Sequence, residues 1–192
     1  MFIALTGGIG CGKSAALEMF AKCGFICDDA DKICHGFYAR SEGIEAICRR
    51  WPQALDKSGN VDRKVLANIV FRDDEALAYL ENLIRPYLQQ KLAEYRKNTA
   101  LTMIEVPLLF EKNMQHEFDK TISVWSPFYL RRERLAKRNW DHAECSRRER
   151  LQWSSEQKLA AADYGIINSG SLEMLFQQCR LLTDKIIEQT KN

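Results

Sequence analysis

The sequence predicts an α/β protein in which a parallel β-sheet is covered by helices on both faces. Two observations support this prediction. Short apolar runs alternate with segments of helical periodicity, and the first apolar run leads through a glycine-rich turn directly into a helical segment. The strand candidates are residues 2–5, 25–27, 101–106, 121–124 and a weaker one at 165–167. Strands that alternate with helices indicate a parallel sheet with two covered faces.

Helical spacing of apolar residues marks the segments between the strands. Lys13–Cys23 is one such segment and ends at Gly24, while longer apolar faces run through residues 80–92 and 172–186. Ser126 followed by Pro127 predicts an N-cap with proline at the first helical position. Residues 154–157 have the form of a capping box.

Residues 41–98 interrupt the alternation, because they contain helical patterns and no convincing strand. We interpret this region as a helical insertion. The predicted core then comprises residues 1–40, 99–128 and 160–192, and a predicted lid covers residues 129–158.

The composition is that of a folded globular protein. Of 192 residues, 46% are apolar and 28% are charged, which excludes a disordered or low-complexity chain. The 28 Lys and Arg residues are balanced by 26 Asp and Glu residues, so the net charge is only +2. A dedicated nucleic-acid-binding protein is usually more basic, and we expect no nucleic-acid partner.

Cysteine usage and the N-terminal residues predict the compartment. Seven scattered cysteines are an odd number with no CxxC pair, which favours free thiols in a reducing environment. The N-terminal residues resemble no signal peptide, and no apolar run approaches the ~20 residues of a membrane span. We therefore expect a cytoplasmic protein with no membrane contact, as a monomer or a weak homo-oligomer.

The strongest motif is the segment Gly7–Ser14, which matches GxxxxGK[ST] at every fixed position between a strand and a helix. Its glycines allow successive backbone N–H groups to point inward around phosphate oxygens. Lys13 can reach the β- and γ-phosphates of a nucleoside triphosphate, and the Ser14 hydroxyl can bind Mg²⁺. The motif predicts nucleotide binding but not the fate of the phosphate.

Three classes of protein share this loop. A GTPase switch requires DxxG after an apolar strand, whereas Asp56–Gly59 lies in a polar stretch and no NKxD motif is present. A motor or remodelling ATPase requires consecutive acids at a strand end, where this chain offers only Glu105. A small-molecule kinase requires a carboxylate beside the acceptor hydroxyl and cations around the moving phosphoryl group.

Both requirements of a kinase have candidates. Asp31 follows the second predicted strand, at the sheet edge where ligands of open α/β sheets collect, although one of the nearby acids Asp28, Asp29 and Asp31 is expected to cap the next helix. The stretch 131–150 contains eight Lys and Arg residues, and its residues 131, 134 and 138 share one helical face. Such a run forms either a solvated helix face or a mobile lid that neutralises phosphate charge and excludes water.

At this point the sequence resembles the dephospho-coenzyme A kinase family over nearly the whole chain. The matching residues and segments are Leu5–Ser14, Asp29–Asp31, residues 59–63 with Leu66 and residues 70–71, Val106–Glu111, Arg134–Arg138, Gln152, Lys158, Ala162–Asp163 and Ile167–Gly170. The resemblance implies ATP- and Mg²⁺-dependent phosphorylation of the ribose 3′-hydroxyl of dephospho-coenzyme A. It also implies a P-loop kinase fold with a five-stranded parallel core in three layers, a helical substrate domain and an arginine-rich lid.

The resemblance also implies roles for particular residues. Asp31 would be the base at the acceptor hydroxyl, Lys13 would hold the β- and γ-phosphates, and Arg138 would act on the transferred group. The implied ATP-binding residues are Gly8, Ile9, Gly10, Cys11, Gly12, Lys13, Ser14, Ala15 and Asn168, with Ser14 at the metal. The implied substrate-binding residues are Thr6, Asp31, His35, Arg63, Pro107 and Leu108.

A few residues depart from the family pattern or have two interpretations. Arg85 precedes Pro86 where the family has His, and Cys11 stands where the family usually has Ser. His35 is either a substrate contact or an ordinary surface residue. Cys11 lies at a helix N-terminus near Lys13, and both features favour a thiolate, so we hypothesise that oxidation of Cys11 blocks ATP binding.

Overall fold

The computed structural model describes residues 1–138 and 149–190, and its centre is a parallel sheet of five strands. The strands are β1 (Phe2–Gly7), β2 (Ile26–Asp29), β3 (Thr102–Glu105), β4 (Lys120–Trp125) and β5 (Tyr164–Ile167). Their order across the sheet is β2-β3-β1-β4-β5. The chain moves from β1 to one edge and later crosses β1 to reach the other edge, and such a reversal leaves a crevice at the carboxyl ends of the strands. All five predicted strands are confirmed.

Eight α-helices connect or follow the strands within the described residues. They are α1 (Lys13–Lys22), α2 (Ala30–Phe37), α3 (Ser41–Arg50), α4 (Arg63–Val70), α5 (Asp74–Arg96), α6 (Phe128–Ala136), α7 (Ser155–Ala161) and α8 (Leu172–Thr190). Two short 3₁₀ helices cover Pro52–Ala54 and Gln115–Glu117. Helices lie on both sides of the sheet, as predicted, with α1 packed against α8 and α7 packed against β1 and β4.

The chain divides into two compact units. The first comprises Met1–Asp29 and the chain from Tyr95 onward, and the second comprises Ala30–Glu94. We call the first the sheet unit and the second the helical unit. The insertion predicted from the sequence begins at residue 41, whereas the helical unit begins at Ala30. Helix α2 therefore belongs to the helical unit and not to the core, where the sequence analysis placed it. Each unit has its own apolar core.

The core of the first unit lies between the sheet and the pair α1 and α8. Strand residues such as Ile3, Leu5 and Ile122 are completely buried there, together with Phe20 of α1 and Cys179 of α8. Burial on both sides of β1 explains its uninterrupted apolar run, because a strand covered on two faces does not alternate polar and apolar residues.

The second unit contains helices and no strand of the sheet. Its core includes Ile47, Trp51, Leu66 and Leu80. The sequence Asp56–Gly59 is a tight turn here: Asp56 Oδ1 accepts hydrogen bonds from Ser58 N (2.8 Å) and Asn60 N (2.9 Å). This DxxG therefore follows no strand of the sheet, which removes the basis for a GTPase switch.

The two predicted helix starts behave differently. Ser154 caps α7 in a complete capping box, with its side chain accepting from Gln157 N and the Gln157 side chain accepting from Ser154 N. The prediction for Ser126 is wrong, because α6 begins at Phe128, Pro127 occupies the N-cap position and the Ser126 hydroxyl is bound elsewhere. The Ser126 hydroxyl donates to the buried carbonyl oxygen of Cys11 and not to the first turn of α6.

Asp163 fastens the start of β4 to the chain that enters β5. Its Oδ2 accepts from Thr121 N (2.8 Å) and Thr121 Oγ1 (2.8 Å), and Lys120 Nζ lies 3.4 Å from Oδ1. Burial acts to raise the pKa of this carboxyl group, but the hydrogen bonds from Thr121 and the charge of Lys120 outweigh burial and lower the pKa.

Replacing Asp163 with Asn should therefore reduce the acid sensitivity of the fold. A carboxyl group with a depressed pKa stabilises the folded state above its unfolded-chain pKa of about 3.9, and this contribution is lost as the pH falls through the lower folded-state pKa. Urea titrations from neutral pH to about pH 2 should show a smaller pH-dependent change in the free energy of unfolding for Asp163→Asn. The control Asp184→Asn, at an exposed position on α8, should follow the parent protein, and an equal change in both variants would contradict the assignment.

Candidate active site

The glycine-rich loop between β1 and α1 has a backbone that only glycine adopts readily. Gly10 and Gly12 have φ angles of +76° and +90°. A Cβ atom at Gly12 would lie 2.2 Å from Asn168 Nδ2, and one at Gly10 would lie 2.9 Å from the Arg131 carbonyl oxygen. Space and backbone conformation thus both require glycine at these two positions of the motif.

The carbonyl oxygen of Cys11 is held on the outer side of this loop by three donors. Asn168 Nδ2 donates to it at 2.9 Å, the Ser126 hydroxyl at 3.2 Å and the Arg134 guanidinium at 3.3 Å. In a trans peptide the N–H points opposite to the preceding C=O, so these contacts turn the Gly12 N–H to the inner side of the loop. The loop therefore presents the Gly12 N–H on its inner side, while the Cys11 N–H donates to the Gly8 carbonyl oxygen (3.3 Å).

Arg134 is committed to this outer side of the loop. Besides Cys11, its guanidinium donates to the carbonyl oxygens of Gly10 (3.3 Å) and Asn168 (3.1 Å) and to the Ser126 hydroxyl (2.8 Å). The sequence placed Arg134 on one helical face with Arg131 and Arg138, and helical spacing shows only that residues share a face. In the structure this guanidinium stabilises the loop backbone.

The N-terminus of α1 is prepared for an anion. Its N-cap residue, Gly12, offers no side-chain cap, and the first turn holds no acidic residue. The first N–H groups of a helix lack partners within the helix and carry partial positive charge, so they attract negative groups. Lys13 Nζ lies across the loop, donating to the carbonyls of Gly7 (3.2 Å) and Gly8 (3.4 Å), while the Ser14 side chain is exposed and that of Ala15 is half-buried.

The expectation that Cys11 is a thiolate is wrong. The side chain is fully buried, and burial raises the pKa of the thiol although Arg131 and Lys13 act in the opposite direction. A neutral, enclosed thiol is a poor nucleophile, so the structure offers no support for oxidation of Cys11 as a control on ATP binding. Cys11 contributes its carbonyl oxygen and its bulk.

A cavity of about 380 Å³ lies beside the loop. Gly8 and Ile9 form its loop side, and Arg131 with residues 149, 150, 152–155 and 157 forms the remainder. Arg131 is paired with Glu149 at 3.2 Å, yet its Nε is buried without a hydrogen-bond partner among the described residues, as is Gln152 Oε1. The cavity therefore joins the loop to two arginines, Arg131 and Arg150, and to unsatisfied polar atoms.

Arg138, the predicted lid arginine, is exposed and follows α6 in a turn. It does not line the cavity. The central part of the predicted lid, residues 139–148 with Arg147 and Arg148, lies outside the described residues. The role of Arg138 stays a prediction.

Three of the predicted substrate-binding residues lie in the sheet unit. Thr6 is fully buried at the end of β1, and its hydroxyl lies 3.5 Å from the carbonyl oxygen of Pro107. Pro107 and Leu108 follow β3 and are half-buried. Adjacent parallel strands thus bring these residues to one edge of the sheet.

The other three lie in the helical unit. Asp31 and His35 are exposed in α2, four residues apart, and Arg63 begins α4. His35 lies beside Tyr38, with ring centroids 6.4 Å apart. Burial raises the pKa of Tyr38 to about 12, and the positive charge of Arg63 acts to lower it. Asp31, His35 and Arg63 thus belong to one unit, with Tyr38 between the last two.

Of the three neighbouring acids, Asp28 is bound within the sheet unit. Its Oδ2 accepts a hydrogen bond from the Tyr95 hydroxyl, and its Oδ1 accepts from Asp29 N at 2.8 Å. This contact leaves Asp28 a structural role at the end of β2.

The described residues contain neither a metal-binding cluster nor a membrane-spanning helix. No group of three or more His, Cys, Asp or Glu side chains there is arranged to hold a metal ion. Similarly, none of the described helices is both long enough and apolar enough to cross a membrane.

Gly12→Ala should impair ATP binding more than the cost of a positive φ angle explains. An L-residue in the left-handed region costs about 1–2 kcal/mol, and the new methyl group would in addition displace Asn168 from its contact with Cys11. Gly24→Ala is the matched control, because Gly24 has a φ of +95° and nothing within 4 Å of a new Cβ. By titration calorimetry, Gly12→Ala should weaken ATP binding at least about tenfold, a change of about 1.4 kcal/mol, while Gly24→Ala leaves it nearly unchanged. Equal affinities in the two variants would contradict the role of this contact.

Comparisons with known proteins identify the family. A family model described as dephospho-CoA kinase matches residues 1–174. A curated dephospho-CoA kinase from Aquifex aeolicus is 38% identical over 189 residues, covering 96% of each protein. A crystal structure from Thermus thermophilus superposes with a TM-score of 0.84 at 33% identity, covering 98% of this chain and 97% of that one. The structure of a dephospho-CoA kinase from Campylobacter jejuni has a TM-score of 0.73 at 30% identity and 98% coverage of both chains. The sequence resemblance is thus confirmed, and the chain belongs to the dephospho-CoA kinase family.

Proposed function

We propose that this protein transfers the γ-phosphoryl group of ATP to the ribose 3′-hydroxyl of dephospho-coenzyme A, with Mg²⁺ as cofactor. Membership of the family supports a kinase that forms coenzyme A. The single structural observation behind the proposal is the loop at the end of β1, where three side chains hold the Cys11 carbonyl oxygen and thereby direct the Gly12 N–H to the opposite side.

The phosphate donor binds at this loop. Backbone N–H groups and the uncapped N-terminus of α1 surround the β-phosphate, and Lys13 moves from the carbonyls of Gly7 and Gly8 to the β- and γ-phosphate oxygens. This exchange is favourable, because an ammonium group binds an anionic oxygen more strongly than a neutral carbonyl.

Mg²⁺ is held mainly by the nucleotide. A protein-only magnesium site is absent from the described residues, and Mg²⁺ commonly keeps several waters and binds substrate phosphates with few protein ligands. The exposed Ser14 hydroxyl at the start of α1 would serve as a protein ligand for the ion. The ion, when bound, supplies positive charge to the β- and γ-phosphates.

Asp31 serves as the carboxylate for the acceptor. It is exposed and follows the last residue of β2 by two positions, near the carboxyl edge where ligands of parallel sheets bind. We assign it the proton of the 3′-hydroxyl, and we assign His35, Arg63, Thr6, Pro107 and Leu108 to binding the remainder of the acceptor.

Arginines neutralise the charge that develops on the transferred phosphoryl group. We propose Arg138 for this role from the family pattern, and the cavity beside Gly8 adds Arg131 and Arg150 as cations close to the loop. Positioned cations act strongly in a site that excludes water, where the dielectric constant is low.

We further propose that the reaction takes place in the cytoplasm and that the protein is a monomer or a weak homo-oligomer. All six cysteines among the described residues are free thiols, which fits a reducing compartment.

The reaction is tested by coupled measurement of ADP release with a panel of acceptors. We expect stoichiometric ADP release with dephospho-coenzyme A and Mg²⁺, and only slow release with other nucleotides or sugars. If another acceptor is preferred, the chain is a kinase of different specificity. If ADP release does not depend on any acceptor, the phosphotransferase proposal is wrong.

Asp31→Asn should abolish phosphoryl transfer while leaving ATP affinity within about twofold. The amide keeps the size of the side chain but cannot accept the proton, and general-base catalysis contributes about 10²–10⁴-fold. Asp74→Asn, at an exposed acid in the first turn of α5, provides the same chemical change in the same unit. Activity of Asp31→Asn close to that of Asp74→Asn would rule out Asp31 as the base.

Arg138→Met should lower kcat by roughly a hundredfold, because removal of one transition-state charge contact typically costs this much. ATP and acceptor affinities should change far less than kcat. Lys137→Met removes a neighbouring exposed charge, which pairs with Glu133 at 2.7 Å, and should leave kcat near that of the parent protein. A parallel loss in both variants would show that only the general charge of this segment matters.

A further inference from the structure

Lys158 is a completely buried lysine to which the mechanism above assigns no role. It lies in α7 with a side-chain exposure of 0%, and its Nζ is 2.9 Å from Glu111 Oε1. Burial lowers the pKa of its ammonium group, whereas the hydrogen bond to Glu111 and the charge of Glu111 act to raise it. Burying an ammonium group costs free energy, so the contacts of Lys158 indicate the role of this side chain.

The second contact of Lys158 is with the chain that follows β3. Its Nζ donates a hydrogen bond to the carbonyl oxygen of Pro107, to which the Thr6 hydroxyl also points at 3.5 Å. This carbonyl precedes the amide of Leu108, and no peptide bond in residues 1–138 and 149–190 is cis. Because a trans peptide directs its N–H opposite to its C=O, Lys158 turns the Leu108 N–H away from α7.

Glu111 connects the same cluster to Trp153, in the part of the predicted lid that precedes α7. Its Oε1 accepts from Trp153 N at 2.7 Å as well as from Lys158, and the rings of Phe110 and Trp153 stack with centroids 5.6 Å apart. Trp153 lines the cavity beside Gly8. One ion pair therefore holds three separate segments: the loop after β3, the segment before α7, and α7 itself.

We infer that the ion pair of Lys158 and Glu111 positions the Pro107–Leu108 peptide for acceptor binding, with Lys158 as a positioning residue that does not touch the reacting atoms. The inference rests on the proposed function, which places the acceptor at Pro107 and Leu108. It goes further because it assigns the orientation of that peptide to a buried pair on another segment. Loss of Lys158 then weakens acceptor binding and leaves ATP binding intact.

Two variants separate positioning from stability. Lys158→Met leaves the Glu111 carboxylate buried without its counter-charge, so its Tm should fall clearly. The double variant Lys158→Met/Glu111→Gln has no unpaired buried charge and keeps an acceptor for Trp153 N, so its Tm should recover. The Pro107 carbonyl loses its hydrogen bond from Lys158 in both variants and keeps only the distant Thr6 hydroxyl. KM for dephospho-coenzyme A should rise at least about tenfold in both, since misplaced positioning groups cost up to about a hundredfold. The dissociation constant of ATP should change by no more than about twofold.

The matched control is Lys120→Met. Lys120 is a lysine of the same unit that is also paired with an acid, Asp163 at 3.4 Å, but its side chain is 37% exposed. This variant should retain the parent KM for the acceptor. If the double variant recovers both its Tm and its acceptor KM, the pair serves stability alone and the inference is wrong.

A readout without substrate distinguishes this inference from the proposed function. In ¹⁵N–¹H spectra of the protein without ligands, the Leu108 amide signal should shift in the double variant and not in Lys120→Met. An unchanged Leu108 signal overturns the inference, whatever the kinetics. A shifted signal together with no ADP release by the parent protein would overturn the proposed function and leave the orientation of the peptide established.

Discussion

The carbonyl oxygen of Cys11 is the point on which the phosphate-binding loop depends. An isolated loop of glycines has no reason to turn its N–H groups inward, since its carbonyls and amides compete equally for water. Here the Cys11 carbonyl oxygen accepts hydrogen bonds on the outer side from Asn168, Ser126 and Arg134. The Gly12 N–H of the same peptide therefore points to the inner side. Gly12 must then lack a side chain, because Asn168 occupies the space where one would be. The binding surface is thus organised before any ligand arrives, which reduces the entropy lost on binding.

The sheet could be predicted from the sequence because the relevant forces are local or strongly periodic. A central strand such as β1 is apolar throughout, and the change to helical spacing after Gly12 is visible in the letters themselves. The capping box at Ser154 was equally readable, since all of its partners lie within three residues.

The outer shell of the loop could not be predicted in this way. Asn168 and Cys11 are 157 residues apart, and Ser126 and Cys11 are 115 apart, so no spacing rule connects them. Ser126 shows how tertiary structure overrides a local rule. Its hydroxyl could have capped α6, but it is directed instead to the buried carbonyl oxygens of Cys11 and Asn168. Cys11 shows the same for charge, because its neighbours Lys13 and Arg131 favour the thiolate but complete burial opposes it more strongly.

Helix α6 has two functions that constrain how the predicted lid can move. Arg131 faces the cavity beside Gly8, while Arg134, one turn later, is bound to the carbonyls of Gly10, Cys11 and Asn168. Moving α6 as part of a lid would break these contacts and expose carbonyls that hold the loop in shape. We therefore expect α6 to belong to the fixed framework although the sequence assigned it to the lid.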